Sequence, residues 1–192
     1  MKKYFIIILF LTIAGCSKQD SGELPFGNGS RYPHLTKTES NGLLVSWFEP
    51  VDSTIIGLFW SEFSNNEWLV KTLIYSSDHF FINWADFPSI FELNDSTLVS
   101  HWLEMSGKST YDYDVKVIHS TDRGKTWSEP ILPHRDGKHA EHGFVSFYKN
   151  ETHELEMVWL DGREMAGGHG HESAGDMNLY TTSFDRDFKQ RH

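Results

Sequence analysis

The chain has 192 residues, of which 39% are hydrophobic, 23% charged and 15% aromatic, too aromatic for a disordered chain and too polar for a multispanning membrane protein. Lys and Arg number 17 against 27 Asp and Glu, a formal net charge of −10 with no basic stripe to offset it, which disfavours nucleic acid as a partner. A single Cys rules out an internal disulfide framework and a Cys-rich zinc site.

Lys2 and Lys3 form a positive n-region, and Tyr4 to Ala14 form an apolar run. That run is too short to cross a bilayer as a helix but has the length of a signal-peptide core. It ends in Ile13-Ala14-Gly15-Cys16, which matches the bacterial lipobox, where the Cys is diacylated and becomes the new N-terminus. Residues 1–15 therefore read as a lipoprotein signal peptide and Cys16 as the lipidation site. Several acyl chains hold a protein at a membrane where one does not. The alternative is an ordinary secretory signal with an incidental Cys. Residues 16–30 are polar and Gly-rich, the composition of a flexible tether. Ser17 rather than Asp follows the Cys and favours the outer membrane, so the expected location is the bacterial cell envelope, lipid-anchored.

From residue 31 the pattern is of short alternating runs rich in Val, Ile, Phe, Tyr, Trp and Thr, broken by Gly, Asn, Asp and Ser, which are strand signals. They repeat. Leu44-Val45-Ser46-Trp47 recurs as Leu98-Val99-Ser100-His101-Trp102 and more loosely as Glu156-Met157-Val158-Trp159. Pro33-His34-Leu35, Pro88-Ser89-Ile90 and Val145-Ser146-Phe147 precede them in the same order. Ser61 to Trp68, Ser120 to Trp127 and Thr181 to Phe188 follow, each with the same internal spacing. Three anchors in one order, three times over, predict an all-β chain of about three four-stranded antiparallel units over residues 31–82, 83–140 and 141–192. A repeat of this size with aromatic marks is that of a β-propeller blade. The three Trp are expected to pack between blades, and a β-sandwich with accidental repetition is the competing architecture.

Ser120, Asp122, Gly124, Thr126 and Trp127 complete an Asp box, Ser-x-Asp-x-Gly-x-Thr-Trp. The Asp accepts backbone hydrogen bonds within a tight turn, and Gly supplies a conformation other residues resist, so the motif is structural. The other copies are degenerate, with Phe63 and Ser183 in the Asp position. The pattern resembles the sialidase superfamily, also called Asp-box or BNR repeat proteins, whose fold is a six-bladed propeller. The segments His142-Gly143-Phe144-Val145-Ser146 and Val158-Trp159-Leu160-Asp161-Gly162-Arg163 are similar to those of a bacterial subgroup of lipoproteins in that superfamily.

The resemblance implies an exo-sialidase-type glycoside hydrolase acting on terminal acidic sugars, with arginines binding the substrate carboxylate. Arg31-Tyr32-Pro33 stands where the family has its first arginine motif, with Tyr replacing Ile, so Arg31 is a candidate substrate ligand beside its reading as an exposed surface residue. The family's acid/base Asp lies in a loop after the second strand of the first blade, where this chain offers only Asp52. The nucleophilic Tyr, its Glu partner and the remaining arginines belong to later blades. On that resemblance the chain reads as half of a ring, to be completed by further blades or a second copy. Its partner is expected to be a glycan or glycoconjugate. The alternatives are a non-catalytic surface glycan- or protein-binding propeller and an inactive fragment.

Six of the eleven His lie between residues 134 and 171. In a propeller, loops joining the second and third strands of a blade share a face with the connections between blades. The Asp-box turns open on the opposite face. The first face therefore collects His134, His139, Glu141, His142, Asp161, Arg163, His169, His171 and Glu172. No cofactor is expected, but His139, His142, His169 and His171 could supply a divalent metal with imidazole ligands. The same imidazoles, His142 among them, could hydrogen-bond a sugar, and a solvated Gly-rich loop is the third reading. Asp161-Gly162-Arg163 is a turn in which Asp and Arg either pair with each other or project Arg163 toward an anionic ligand.

Overall fold

The computed structural model describes residues 23–165, 175–185 and 187–191. Cys16, His169 and His171 lie outside them. Twelve strands and one short 3-10 helix, Arg163–Met165, make up the regular structure of these residues. The first sheet holds β1 (Arg31–Lys37), β2 (Leu43–Pro50), β3 (Ile56–Ser64), β4 (Glu67–Trp68) and β5 (Thr72–Ser77). The second holds β6 (Ser89–Glu92), β7 (Leu98–Met105) and β8 (Tyr113–Ser120), and the third holds β9 (His142–Lys149), β10 (Leu155–Asp161), β11 (Asn178–Phe184) and β12 (Gln190–Arg191). Every pairing within them is antiparallel between neighbours in the chain, apart from β3, which pairs both β4 and β5.

The second sheet has three strands and, in place of a fourth, a single bridge between Val117 and Ile131. The two residues exchange both backbone bonds, at 3.0 and 2.8 Å. Pro130 and Pro133 flank Ile131, and proline has no N–H to extend a ladder, so pairing stops after one residue.

The sheets stack face to face in chain order, and alternation along the strands assigns each side chain to one interface. Leu98, Trp102, Ile90 and Ile118 of the second sheet pack with Leu44, Phe48, Leu58, Trp60 and Ile74 of the first. Their neighbours Val99, Leu103, Tyr113, Val115 and Val117 point the other way, into a core with Leu155, Met157, Trp159, Phe184 and Phe188 of the third. The middle sheet is thus apolar on both faces, which is why β7 reads as a continuous buried run rather than an alternating one.

Each of the three repeated Trp faces the side of the preceding sheet. Trp102 lies flat on Tyr75 of the first sheet, ring centroids 4.5 Å apart, and Trp159 sits in the core shared with the second. Trp47 points to the outer side of the first sheet, where Phe26 from the segment before β1 covers it edge-on at 4.9 Å. Glu49 fastens this cover. It accepts hydrogen bonds from Gly27 N, Ser30 Oγ, Trp47 Nε1 and Lys71 Nζ. Burial opposes ionisation, but these donors, Lys71 foremost, hold the Glu49 carboxyl down at about 2.

The Asp box closes the far end of the second sheet. Asp122 Oδ1 accepts from Thr126 N and Ser120 Oγ, both at 2.8 Å, and Oδ2 from Thr126 Oγ1 at 2.7 Å. Led by the Thr126 bonds, these donors keep the Asp122 carboxyl at about 2. Gly124 adopts φ +79° against the Trp60 ring, where a Cβ would collide with the indole. Beside it Arg123 reaches back to the first sheet. Its guanidinium bonds both carboxylate oxygens of Glu62, at 3.1 and 2.7 Å, and Glu92 Oε1 at 2.8 Å. The turn therefore ties two sheets together as well as ending one.

Arg123→Ala is expected to leave two largely buried carboxylates without their cation and to destabilise the chain by about 2 kcal/mol, discounted for the guanidinium's partial exposure. Urea denaturation of the two proteins checks this, and a difference below about 0.5 kcal/mol would count against the tie.

Candidate functional site

The starts of β1, β6 and β9 and the ends of β2, β7 and β10 lie at one end of the stack, because β1–β2, β6–β7 and β9–β10 pair antiparallel. Among the described residues, that end carries Arg31, Asp52, His142 and Arg163. Asp52 caps the β2–β3 turn, where its Oδ1 accepts from Ile55 N and Thr54 N, both at 2.8 Å, and from Thr54 Oγ1 at 3.0 Å. These bonds lower its pKa, the Ile55 N–H most. Arg31 is exposed and lines a cleft of about 300 Å3 with Phe26, Gly27, Ser30, Pro33 and Trp47. His139 is exposed.

His142 belongs to a buried network between the second and third sheets. Its ring stacks on His134 with centroids 3.7 Å apart and planes 7° from parallel. Asp136 binds one end of the pair, 3.2 Å from His134 Nδ1 and 3.3 Å from His142 Nε2, and Asp114 lies 3.8 Å from a nitrogen of each at the other end. Asp161 is 3.5 Å from His142 Nε2 and accepts Trp159 Nε1 at 2.8 Å. Arg163 closes the network on Asp161, donating through Nε at 2.8 Å and Nη2 at 2.5 Å, with its guanidinium 3.9 Å above the Tyr180 ring. Burial and the neighbouring His142 lower the His134 pKa. Burial raises those of Asp136 and Asp161, but the His pair and Arg163 outweigh it and bring both below the usual carboxylate range.

Asp114, His134 and His142, and likewise Asp136, His142 and Asp161, are close enough to hold a metal ion. The imidazoles lie in parallel planes, however, so their lone pairs run side by side rather than converging on one point. Arg163 already occupies Asp161.

The most distinctive chemistry lies next to this network. Asp86, only 6% exposed, accepts the Phe144 N–H at 2.6 Å from across the interface between sheets. Its surroundings are the Tyr113 ring, stacked on Phe81 at 3.9 Å, and Gly143, where any Cβ would run into the Asp86 carboxyl. Glu141 stands by, accepting the Tyr113 hydroxyl at 2.7 Å. Burial, reinforced by the Glu141 charge and only partly offset by the Phe144 N–H, pushes the Asp86 carboxyl up to about 6. Burial and Glu141 likewise raise the Tyr113 phenol.

The loop before β6 places Asp86 and displays aromatic rings around it. Asn83 Oδ1 accepts from Ala85 N and Asp86 N at 2.8 and 2.9 Å, an Asx turn that turns Asp86 inward and leaves Trp84 79% exposed. Phe87 follows, and Phe144 sits opposite at φ 54°, a left-handed conformation in a bulged part of the β9–β10 ladder. Tyr32 repeats that conformation in a bulge of β1, and its ring lies 6.3 Å from Phe87.

Sequence reasoning missed Asp86, although a signal for it existed. Tyr32, Phe87 and Phe144 are spaced like Trp47, Trp102 and Trp159, 55 residues and then 57. The residue before each of these aromatics is Arg31, Asp86 and Gly143. At one repeat position the chain thus holds a cation, an acid and the glycine that makes room for the acid.

No protein-family model matches the chain, and no curated protein matches it. Solved structures do. An α-L-arabinanase of Penicillium chrysogenum complexed with arabinobiose superposes with a TM-score of 0.53 at 14% identity, over 79% of this chain and 45% of that one. The GH93 α-L-arabinofuranosidase of Fusarium graminearum, also with arabinobiose, gives 0.52 at 14% identity over 81% and 46%. An endo-1,4-β-xylanase of Bacteroides thetaiotaomicron gives 0.50 at 9% identity over 90% and 61%. The chain spans about half the length of the first two. At these identities the likeness is one of fold, and the fold is all-β, a partial propeller of the glycosidase type.

The raised Asp86 pKa carries a stability cost with a definite sign. Near pH 3 the carboxyl is largely protonated in both states. As pH rises toward 6 the unfolded chain releases the proton while the folded chain keeps it, so stability falls, and the loss is complete above about 6. Asp86→Asn is therefore expected to match the natural chain near pH 3 and to exceed it by about 2 kcal/mol at pH 7.5. Urea midpoints at both values check this, and a variant that is less stable at pH 7.5 would refute it.

Proposed function

We propose that this chain carries the glycan-processing face of a propeller, with Asp86 donating a proton to the leaving oxygen of a glycosidic bond. One observation carries the reading: a buried carboxyl with its pKa pushed up to about 6, bonded by Phe144 N and flanked in the chain by exposed Trp84 and Phe87, at the loop end of the stack. A general acid must hold its proton near working pH, and burial next to a second carboxylate achieves that. Asp52, held ionised by its turn, is less suited to the same task.

Hydrolysis of a terminal glycosidic bond through an oxocarbenium-like transition state needs a second carboxylate as nucleophile or base. Glu141, oriented by the Tyr113 hydroxyl, is the residue we assign to it. The folds of the arabinan- and xylan-degrading enzymes named above support a glycan as partner. The sialidase resemblance supports a sialidase-like exo-acting enzyme for terminal acidic sugars as the second reading, with Arg31, exposed beside its cleft, as the carboxylate ligand.

Assays with nitrophenyl arabinofuranoside, nitrophenyl xyloside and a fluorogenic sialoside test both. Turnover is expected to fall as pH rises through about 6, and Asp86→Asn to lower it by about 100-fold or more. Background turnover on all three substrates would remove the enzyme reading and leave a non-catalytic glycan-binding propeller.

Export is part of the same proposal, with residues 1–15 as the signal and Cys16 as a lipid anchor in the cell envelope, the outer membrane favoured. Metabolic labelling with radioactive palmitate is expected to mark the chain and to miss Cys16→Ser. Equal labelling of both would rule the anchor out.

A further inference from the structure

We infer that the loop end around Asp86 selects an uncharged sugar, seated by its apolar ring face on the exposed aromatic side chains beside it, and rejects anionic sugars. This rests on the glycan-site reading above and narrows it to a substrate class.

Three observations converge on it. The first is that large aromatic surface is left in water on residues next to, or bonded to, one buried carboxyl. Trp84 is 79% exposed, Phe144 44% and Phe87 37%, and Tyr32 continues the row toward the first sheet. Aromatic rings offer flat apolar area that matches the C–H face of a pyranose or furanose ring.

The second is that the backbone holds these rings in place. Trp84 stands on the turn capped by Asn83, Phe87 is followed by Pro88, and Phe144 is fixed in a left-handed conformation by the bond from its N–H to Asp86. Strained backbone that presents a side chain to solvent is a mark of a binding surface rather than of packing. Rings pre-set in this way lose little freedom when a ligand arrives.

The third is charge. This surface is bordered by the Glu141 carboxyl and, above about pH 6, by an ionised Asp86, so a sugar carboxylate approaching it meets like charge. Arg163 and Arg31, the guanidinium groups proposed from the sequence for such a carboxylate, are engaged or turned elsewhere. Arg163 is bonded twice to Asp161 and lies over Tyr180. Arg31 opens on the cleft beside Trp47, whose lining includes neither Asp86 nor Phe144.

Isothermal titration calorimetry of the whole chain tests this with arabinobiose and xylotriose as neutral probes and sialyllactose and digalacturonate as anionic ones. At least one neutral probe is expected to bind, and each anionic probe at least tenfold more weakly. Trp84→Ala and Phe144→Ala should each weaken neutral binding about fivefold. Trp84→Ala should leave the melting temperature unchanged, which separates lost stacking from lost folding. At pH 7.5, where Asp86 is ionised, Asp86→Asn should strengthen anionic binding. Anionic probes binding as tightly as neutral ones, binding insensitive to both aromatic variants, or binding by none of the four probes would each overturn the inference. Neutral binding without turnover would overturn the acid role of Asp86 and leave this inference standing.

Discussion

The structure depends on a middle sheet that is buried on both faces. Leu98 and Trp102 look one way and Val99 and Leu103 the other, so one strand of eight residues supplies two cores at once. Removing apolar surface from water on both sides is the main force holding three thin sheets together, since a sheet of three or four strands buries little alone. It also leaves β7 and β8 no tolerance for register error, because a one-residue slip would exchange the two cores. The polar ties act on this base. Arg123 joins the first two sheets at the Asp-box end, and the His134–His142 network joins the last two at the opposite end.

The candidate site sits where those requirements relax. At the loop end the innermost strands bulge, Tyr32 and Phe144 take left-handed backbone conformations, and a carboxyl is buried at a cost. Each departs from what would be most stable locally, and they occur together around Asp86. Local conflict with good folding practice is expected at functional positions and is tolerated when the surrounding structure is strong enough to enforce it. The two-sided core and the two polar ties provide that strength. The neighbouring network contributes directly, because His142, next to Gly143, bonds the carbonyl of Tyr113 and so fixes the wall against which Asp86 is held.

Much of the fold was legible in the chain because its signals are local or periodic. The Trp spacing, the Asp box and the alternation of β-branched and aromatic residues each follow from pleat geometry or turn chemistry, which act over a few residues. The loop end was legible only as a gathering place. Asp161 and Arg163 are two residues apart and could be paired by inspection. Asp86 and Gly143 meet only because consecutive sheets stack, and neither is unusual in its own segment. The same holds for Asp114 and Asp136, two acids in unremarkable loop-flanking positions that enclose a pair of imidazoles. His142 looked like a solvent-facing ligand beside a Gly-rich stretch, yet it is fully buried, because β9 begins with it and turns it against the second sheet.

Trp47 and Trp159 each donate an indole N–H to the acid two residues further on, Glu49 and Asp161. Side chains two apart on a strand lie on the same face, so this bond spans a single strand and needs no partner sheet to form. In a chain made of near-copies, the main hazard is that a strand of one copy pairs in the place of its equivalent in another. The middle copy differs: Trp102 leaves its indole N–H without a partner, and Glu104 turns to Ser77 of the first sheet. The outer copies therefore tie this Trp within its own strand, and the central one instead ties the acid to a neighbouring sheet, so three similar sequences carry different polar bonds at one repeat position.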